Sequence, residues 1–329
     1  MVETIAENLY RIEVPLPKNP LKAINSYVIT GPDRNLVIDT GMNREECCQA
    51  LQAGFAEIGL DLANTDFLLT HMHADHCGLA SALIHPGCKA YASRQDGMTI
   101  NAFSGPEVDA HWDPLQEYAV RQGFPADLLA VAFEKHPGHI YRPAYSLDFT
   151  YLAEGDVISA AEYHFRCVFT PGHTRGHICL YEPNRKFLIS GDHILGDITP
   201  NISQWIEEED ALAVYFASLD KVAQLEVDLV LPGHRSLFTD CRGRINELKQ
   251  HHSHRLEEVL RIVQENGPLN AYEIAMHMSW DIRGTWADFP VAQKWFAHGE
   301  AIAHIKYLQK TGRLVCADSG EAPVLYFAQ

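Results

Sequence analysis

Thr70-His71-Met72-His73-Ala74-Asp75-His76 follows the apolar run Asp66–Thr70 and precedes a turn at Gly78. Four side chains of metal-ligand type fall here within six residues, on a loop at the end of a buried strand. Polar groups converge so densely only where something offsets their polarity, and a divalent cation does that. Three later stretches share one form. Phe165–Thr170 leads into Pro171-Gly172-His173, Phe187–Ser190 into Gly191-Asp192, and Leu229–Leu231 into Pro232-Gly233-His234. In each, an apolar strand ends in a turn carrying a ligand-type residue; strand ends hold ligands rigidly, and glycine lets the backbone turn sharply beside them. Seven candidate ligands suffice for two cations.

Upstream of this stretch, short β-rich runs alternate with turns: Asn8–Val14, Ser26–Thr30, and Asn35–Asp39 after Gly31-Pro32-Asp33-Arg34. Cys48, Leu51, Phe55 and Ile58 then recur at helical spacing. Downstream, Lys89–Ala92 is a further strand, followed by an insertion at about residues 93–145 with helical stretches around Pro114–Gln122 and Ala126–Lys135. Insertions of that length are functional lids or extra packing elements. Its aromatics, Phe103, Trp112, Tyr118, Phe124, Phe133, Tyr141 and Tyr145, suit either a substrate-facing wall or a face that packs the lid down.

Strands resume at Leu147–Leu152, Val157–Ile158, Tyr163–Thr170, His177–Tyr181 and Lys186–Ser190, and a helix at Asp210–Gln224 leads to the strand Val227–Leu231. That order suggests two sheets with helices outside. We place the large domain at residues 1–240 and a smaller one at 241–329. In the smaller one Leu256, Val259, Leu260 and Val263 share a helix face, as do Ala271, Ile274, Ala275 and Met278; a third helix with Ala301, Ile305 and Leu308 ends at Gly312. With Leu314–Cys316 and Val324–Phe327 as a hairpin, three helices and two strands make a winged-helix-like module.

The chain has 329 residues, 47% hydrophobic and 21% charged, enough for a sizeable core and too apolar for disorder. Acidic residues outnumber Lys and Arg by 43 to 26, for a formal charge of −17. Residues 1–235 carry 32 acidic against 16 basic groups, and residues 236–329 carry 11 against 10. A track that neutralises phosphates is hard to assemble from that balance, so nucleic acid is disfavoured as a partner and a small molecule is expected. The N-terminal stretch Met1–Asn8 lacks the basic start and apolar core of a signal peptide, and no 18-residue apolar run occurs, which points to a cytoplasmic protein without a membrane partner. The eight cysteines form no C-x-x-C pair and are read as reduced and structural.

The ordered pattern T-H-x-H-x-D-H, then His, Asp and His, resembles the metallo-β-lactamase-fold hydrolase superfamily over roughly residues 1–240. The resemblance implies an α+β chain: a four-layer αβ/βα sandwich followed by the small helical winged-helix-like domain. It implies a dinuclear centre in which His71, His73 and His173 hold the first metal, Asp75, His76 and His234 the second, and Asp192 bridges them. Zinc is the family's usual ion, although imidazole and carboxylate suit iron and manganese as well. The zinc β-lactamases best known from antibiotic resistance carry cysteine at the bridging position. With aspartate there, the chain is more similar to glyoxalase II, and antibiotic hydrolysis is not expected.

Two metals would draw a bridging hydroxide from water near neutral pH, with Asp75 orienting it or moving its proton. Asp75 and Asp192 are therefore the catalytic candidates. The expected reaction is hydrolysis of a carbonyl ester-type bond, thioesters first and lactones second. The alternative is phosphodiester cleavage of single-stranded RNA, because Ser190–Leu195, Thr199–Ile202 and the tail resemble bacterial lactamase-fold hydrolases that include relatives of a mitochondrial endoribonuclease. Lys306, Lys310 and Arg313 on the third tail helix and beyond it could meet DNA, but Glu300 and Asp318 offset them. The tail is expected instead to cap the cleft or form a homodimer contact.

Some residues stay outside the site. His136-Pro137-Gly138-His139 imitates the ligand motif without a strand running into it. His251, His252 and His254 point in different directions on a helix and are read as surface and interdomain groups. Cys77 suits a small buried residue better than a nucleophile. Asp39 either lies behind the metals or caps a turn, and His177 either lies behind the metal ligands or merely starts a strand.

Overall fold

The computed structural model describes residues 1–105, 108–281, 284–320 and 323–329, apart from the side chain of residue 109. Fourteen strands are present among these residues: β1 Val2–Ala6, β2 Leu9–Pro15, β3 Ala23–Ile29, β4 Asn35–Ile38, β5 Thr65–Leu68, β6 Ala90–Ser93, β7 Phe149–Leu152, β8 Val157–Ala160, β9 Tyr163–Phe169, β10 Ile178–Glu182, β11 Phe187–Gly191, β12 Leu229–Pro232, β13 Leu314–Ala317 and β14 Leu325–Ala328. The helices are α1 Glu45–Glu57, α2 Ala74–Cys77, α3 Ala80–Leu83, α4 Arg94–Ser104, α5 Val108–Arg121, α6 Ala126–Glu134, α7 Pro137–Ile140, α8 Ala211–Val222, α9 Cys241–Asn266, α10 Ala271–His277 and α11 Val291–Lys310.

The first seven strands form one sheet in sequence order, antiparallel from β1 to β4 and parallel from β4 to β7. The second sheet runs β12-β11-β10-β9-β8, with β11 and β12 parallel. Alternation along the strands separates two faces. Leu9, Tyr27, Ile38 and Leu68 of the first sheet meet Tyr163, Phe165, Leu180 and Ile189 of the second in a core between the sheets. Val28, Val37 and Phe67 point the other way, onto Leu51 and Phe55 of α1. Val168, Cys179, Leu188 and Val230 face Leu212 and Leu219 of α8 on the far side. Helix, sheet, sheet and helix are thus the four layers, as the sequence implied.

The differences have physical reasons. Strand β1 was not foreseen; it is an edge strand, and only Val2, Ile5 and Ala6 are partly buried. Helix α4 was missed because its buried positions are Asp96, Gly97, Ile100 and Ser104, which leave no apolar stripe to read. Helix α5 starts at Val108 rather than Pro114, and Pro114 sits inside it. His252 is a correction: it is buried, and its Nδ1 lies 3.1 Å from Nε2 of His304.

The insertion and the tail are packed together. Phe124 sits 5.4 Å, ring to ring, from both Tyr272 and Trp295, and Trp112 lies in the same buried cluster. The Ala271 amide donates to the Gln122 carbonyl (3.1 Å), and the Val324 amide to that of Arg121 (2.9 Å). Trp112 and Phe124 therefore pack the insertion down. Leu248, Val259 and Ile305 of the tail continue the core that covers the second sheet. All eight cysteines are unpaired. No helix among the described residues is long and apolar enough to cross a membrane.

Candidate metal centre

Each of the seven sequence candidates follows a strand: His71, His73, Asp75 and His76 after β5, His173 after β9, Asp192 after β11 and His234 after β12. The structure brings all seven together. Their donor atoms form three sets, His71/His73/His173, His71/His76/Asp192 and Asp75/His76/His234, and within each set the atoms lie within 4.8 Å of one another. His71 Nε2 and His73 Nδ1 are 3.1 Å apart. His234 Nε2 lies 3.4 Å from an oxygen of Asp75 and 3.4 Å from Asp192 Oδ2. Ligands on a tetrahedral zinc ion, each about 2.0–2.1 Å from the metal, sit roughly 3.3 Å from one another, so this spacing fits a cation.

The opposite ring nitrogens are tied to the protein, which fixes the tautomers in the hydrogen-bond network. His173 Nδ1–H donates to the Asn201 carbonyl (2.8 Å), His234 Nδ1–H to that of Ala23 (2.7 Å) and His76 Nδ1–H to Asp39 Oδ2 (2.7 Å). The Thr70 hydroxyl donates to the same Asp39 oxygen and can accept from His71 Nδ1 at 3.1 Å. Each of these four rings therefore turns its Nε2 inward. His76 Nε2, His173 Nε2, His234 Nε2 and Asp192 Oδ1 are buried with no hydrogen-bond partner. Buried acceptors without donors are costly, and a divalent ion resolves that deficit.

The protonation equilibria agree. Burial, then the neighbouring imidazoles, holds His71 well below the usual histidine range and takes His73 down to about 3, leaving their lone pairs free. Burial opposes charge on His234, but Asp192 and Asp75 overcome it and raise the ring to about 10. Burial likewise opposes charge on Asp75, yet His234 and His76 lower it to about 2. Burial opposes charge on His76 as well, but Asp192 and Asp39 hold it well above the usual histidine range, so the carboxylates favour positive charge at this place.

The closeness of the turns matters at two glycines. Gly191 has φ +47°, and a Cβ there would stand 2.6 Å from His177 Nε2. A Cβ on Gly233 would stand 2.5 Å from Asp192 Oδ1. His177 supports Asp192 from behind, since its Nε2 accepts the Asp192 backbone N–H at 3.1 Å while Nδ1 faces the Thr170 hydroxyl at 2.8 Å. Asp39 lies behind His76 and Thr70.

Cys77 gives its thiol to the Met72 carbonyl at 3.2 Å, and burial pushes it well above the ordinary range, so it is no nucleophile. His136 accepts the Gly138 amide and starts α7, and neither it nor His139 joins a candidate metal set among the described residues.

Among the supporting residues that escaped the sequence reading, Asp96 joins two loops. Asp96 Oδ2 accepts the Met72 amide (3.0 Å) and the Thr174 hydroxyl (2.5 Å), and its Oδ1 accepts the Gly176 amide (2.8 Å). It thereby joins the loop of His71 and His73 to the loop of His173. The signal was Ser93-Arg94-Gln95-Asp96, which has the spacing of a helix-start capping box.

The family model of the metallo-β-lactamase superfamily matches residues 20–234, a span that contains every one of these seven residues. The chain belongs to the metallo-β-lactamase superfamily. A metallo-β-lactamase family protein of Thermus thermophilus superposes with a TM-score of 0.84 at 27% identity, covering 99% of this chain and 100% of that one. A probable metallo-hydrolase of Bacillus subtilis, YqjP, is 26% identical over 290 residues, 83% of this chain and 85% of its own length. The acyl-coenzyme A thioesterase MBLAC2 of Gallus gallus is 28% identical over 226 residues, 65% of this chain and 73% of its own. As a superfamily member with this donor set, the chain is a metal-dependent hydrolase.

Proposed function

We propose that the chain hydrolyses thioesters with two divalent ions, zinc first, held by His71, His73 and His173 on one side and by Asp75, His76 and His234 on the other. The observation that carries a dinuclear reading is the reach of one carboxylate. Asp192 Oδ1 lies 3.5 Å from His76 Nε2, and its Oδ2 lies 3.4 Å from His234 and 3.7 Å from His173. Ions held there supply Lewis acidity and a nucleophile drawn from water near neutral pH. Asp192 keeps the two ligand groups together, and Asp75 orients the attacking water or holds its proton.

The choice of a thioester draws on the likeness to an acyl-coenzyme A thioesterase. Against the RNA alternative, three basic side chains that a nucleic-acid backbone could use are engaged by acids: Lys306 with Glu207 (2.7 Å), Arg313 with Glu257 (2.7 Å) and Arg175 with Glu209 (2.5 Å). Helix α11 buries Ala297–Ile305 inside the protein, where it cannot enter a nucleic-acid groove. The unpaired thiols suit a reducing compartment, and we assign the reaction to the cytoplasm.

The test compares initial rates on acyl-coenzyme A thioesters, S-D-lactoylglutathione, a lactone and bis-p-nitrophenyl phosphate, with metal-replete and chelator-stripped enzyme. Metal-dependent thioester turnover should exceed phosphodiester cleavage by about a hundredfold or more in kcat/KM. Preferential phosphodiester cleavage would contradict the proposal and make RNA the substrate to pursue.

A further inference from the structure

We infer that the C-terminal helix α11 is part of the support of the metal centre, with Glu300 acting as a positioning residue for His173 through Asn201. The inference rests on the assignment of His173 as a ligand. The group that fixes the far side of the His173 ring is the Asn201 carbonyl, 2.8 Å from Nδ1. Asn201 belongs to a stretch, residues 199–205, with no regular secondary structure of its own. Its position must be set by contacts, and those made by the Asn201 side-chain amide and the Gln204 backbone amide are with α11.

The Asn201 side-chain amide donates to Glu300 Oε2 at 2.8 Å, and the Gln204 backbone amide donates to the Gly299 carbonyl at 3.0 Å. The Ser203 hydroxyl holds the Asn201 side-chain oxygen at 2.5 Å. Trp205 stacks on Trp295 of the same helix, with ring centroids 4.4 Å apart and planes 15° apart. The approach is too close for a side chain at position 299: a Cβ there would stand 2.5 Å from Trp205 and 2.8 Å from the Ser203 hydroxyl.

Glu300 is a buried carboxylate, a costly group to keep in a core unless it is bonded. Its second oxygen faces Arg255 at 3.4 Å, and that guanidinium lies 4.3 Å over the Trp280 ring. The tail thus commits a buried charge to holding one loop, and the loop ends in the carbonyl that aims His173. Groups behind a metal ligand commonly change affinity 10–100-fold when removed.

The test measures Zn2+ affinity of the full-length chain by competition with a chromophoric chelator, and the visible spectrum of the Co2+-loaded form, beside unfolding of the stripped protein. Glu300→Ala and Gly299→Ala should each weaken Zn2+ binding about tenfold or more and shift the Co2+ bands. Asn201→Asp sets carboxylate against carboxylate and should do the same. Asn201→Asp combined with Glu300→Gln restores a donor and an acceptor in reversed order, and should recover affinity to within about threefold of the parent chain. Glu257→Ala, which removes only an exposed pair with Arg313, serves as the control for general loss of stability. If the parent chain binds Zn2+ and the Glu300→Ala and Gly299→Ala variants bind it equally well, the inference is wrong; it is equally wrong if the reversed pair binds no better than Asn201→Asp. A parent chain that binds no Zn2+ overturns the metal assignment itself. Should Asn201→Asp fail to fold, the two α11 variants decide the matter.

Discussion

Asp39 Oδ2 lies 2.7 Å from His76 Nδ1 and 2.7 Å from the Thr70 hydroxyl, so one buried carboxylate fixes the ring of His76 and the residue that precedes His71. Its other oxygen accepts the Thr70 amide at 2.8 Å, and its backbone sits at φ +61°. Asp39→Asn keeps a residue type that tolerates left-handed backbone, but it points an amide donor at groups that already donate. Zn2+ affinity at the Asp75/His76/His234 triad should fall about 10–100-fold, measured by competition titration. Unchanged affinity would mean that packing alone holds the His76 ring.

Gly233→Ala is a steric probe of the Asp192 carboxylate. No positive φ strains the position, but the added methyl would stand 2.5 Å from Asp192 Oδ1 and 2.9 Å from the His76 ring. The variant should bind one ion tightly instead of two and lose about tenfold or more in kcat/KM, read by metal analysis of the purified protein together with kinetics. Full occupancy with normal kinetics would show that Asp192 need not stand where the structure has it.

Burial raises the Asp96 carboxyl to about 6, against its bonds to Thr174, Gly176 and Met72, which lower it. An unfolded chain titrates this group near ~3.9, so the folded state takes up its proton first as the pH falls. The stability Asp96 contributes is accordingly fullest below about pH 4 and is lost as the pH rises through about 6. Relative to Asp96→Asn, which cannot titrate, the parent chain should gain about 3 kcal/mol between about pH 7.5 and about pH 4, followed by urea unfolding of both metal-free proteins. A difference that does not vary with pH would show that Asp96 is not the buried acid described.

Phe124 is buried between the insertion and the tail, and Phe124→Ala should cost about 3–5 kcal/mol. Because the tail shares its core with the second sheet, unfolding should remain a single cooperative transition at a lower denaturant midpoint. Two separated transitions would contradict a shared core.

The convergence of the seven candidates was largely legible because each stands where an apolar strand ends in a turn, as at Phe165–Thr170 before His173 and Leu229–Leu231 before His234. Periodicity also found the two sheets, since the inward and outward faces of strands such as β9 carry different residues. It failed at α4, where burial falls on Asp96 and Gly97, and at β1, which lies at a sheet edge. The support behind the ligands was legible only in fragments. Asp39 and His177 stood out beside ligands, whereas Asn201 and Glu300 are 99 residues apart and meet only in the fold. The seven candidate ligands announce themselves by chemical type; the residues that aim them are ordinary polar groups whose meaning is positional.

The most direct test of a two-ion thioester hydrolase is a titration of the chelator-stripped chain with Zn2+ while thioester hydrolysis is followed. Turnover should be negligible without metal and should rise until it levels off at two ions per chain. Turnover that survives complete stripping, or that levels off at one ion per chain, would contradict the two-ion reading, and two bound ions with no turnover of any thioester would contradict the substrate.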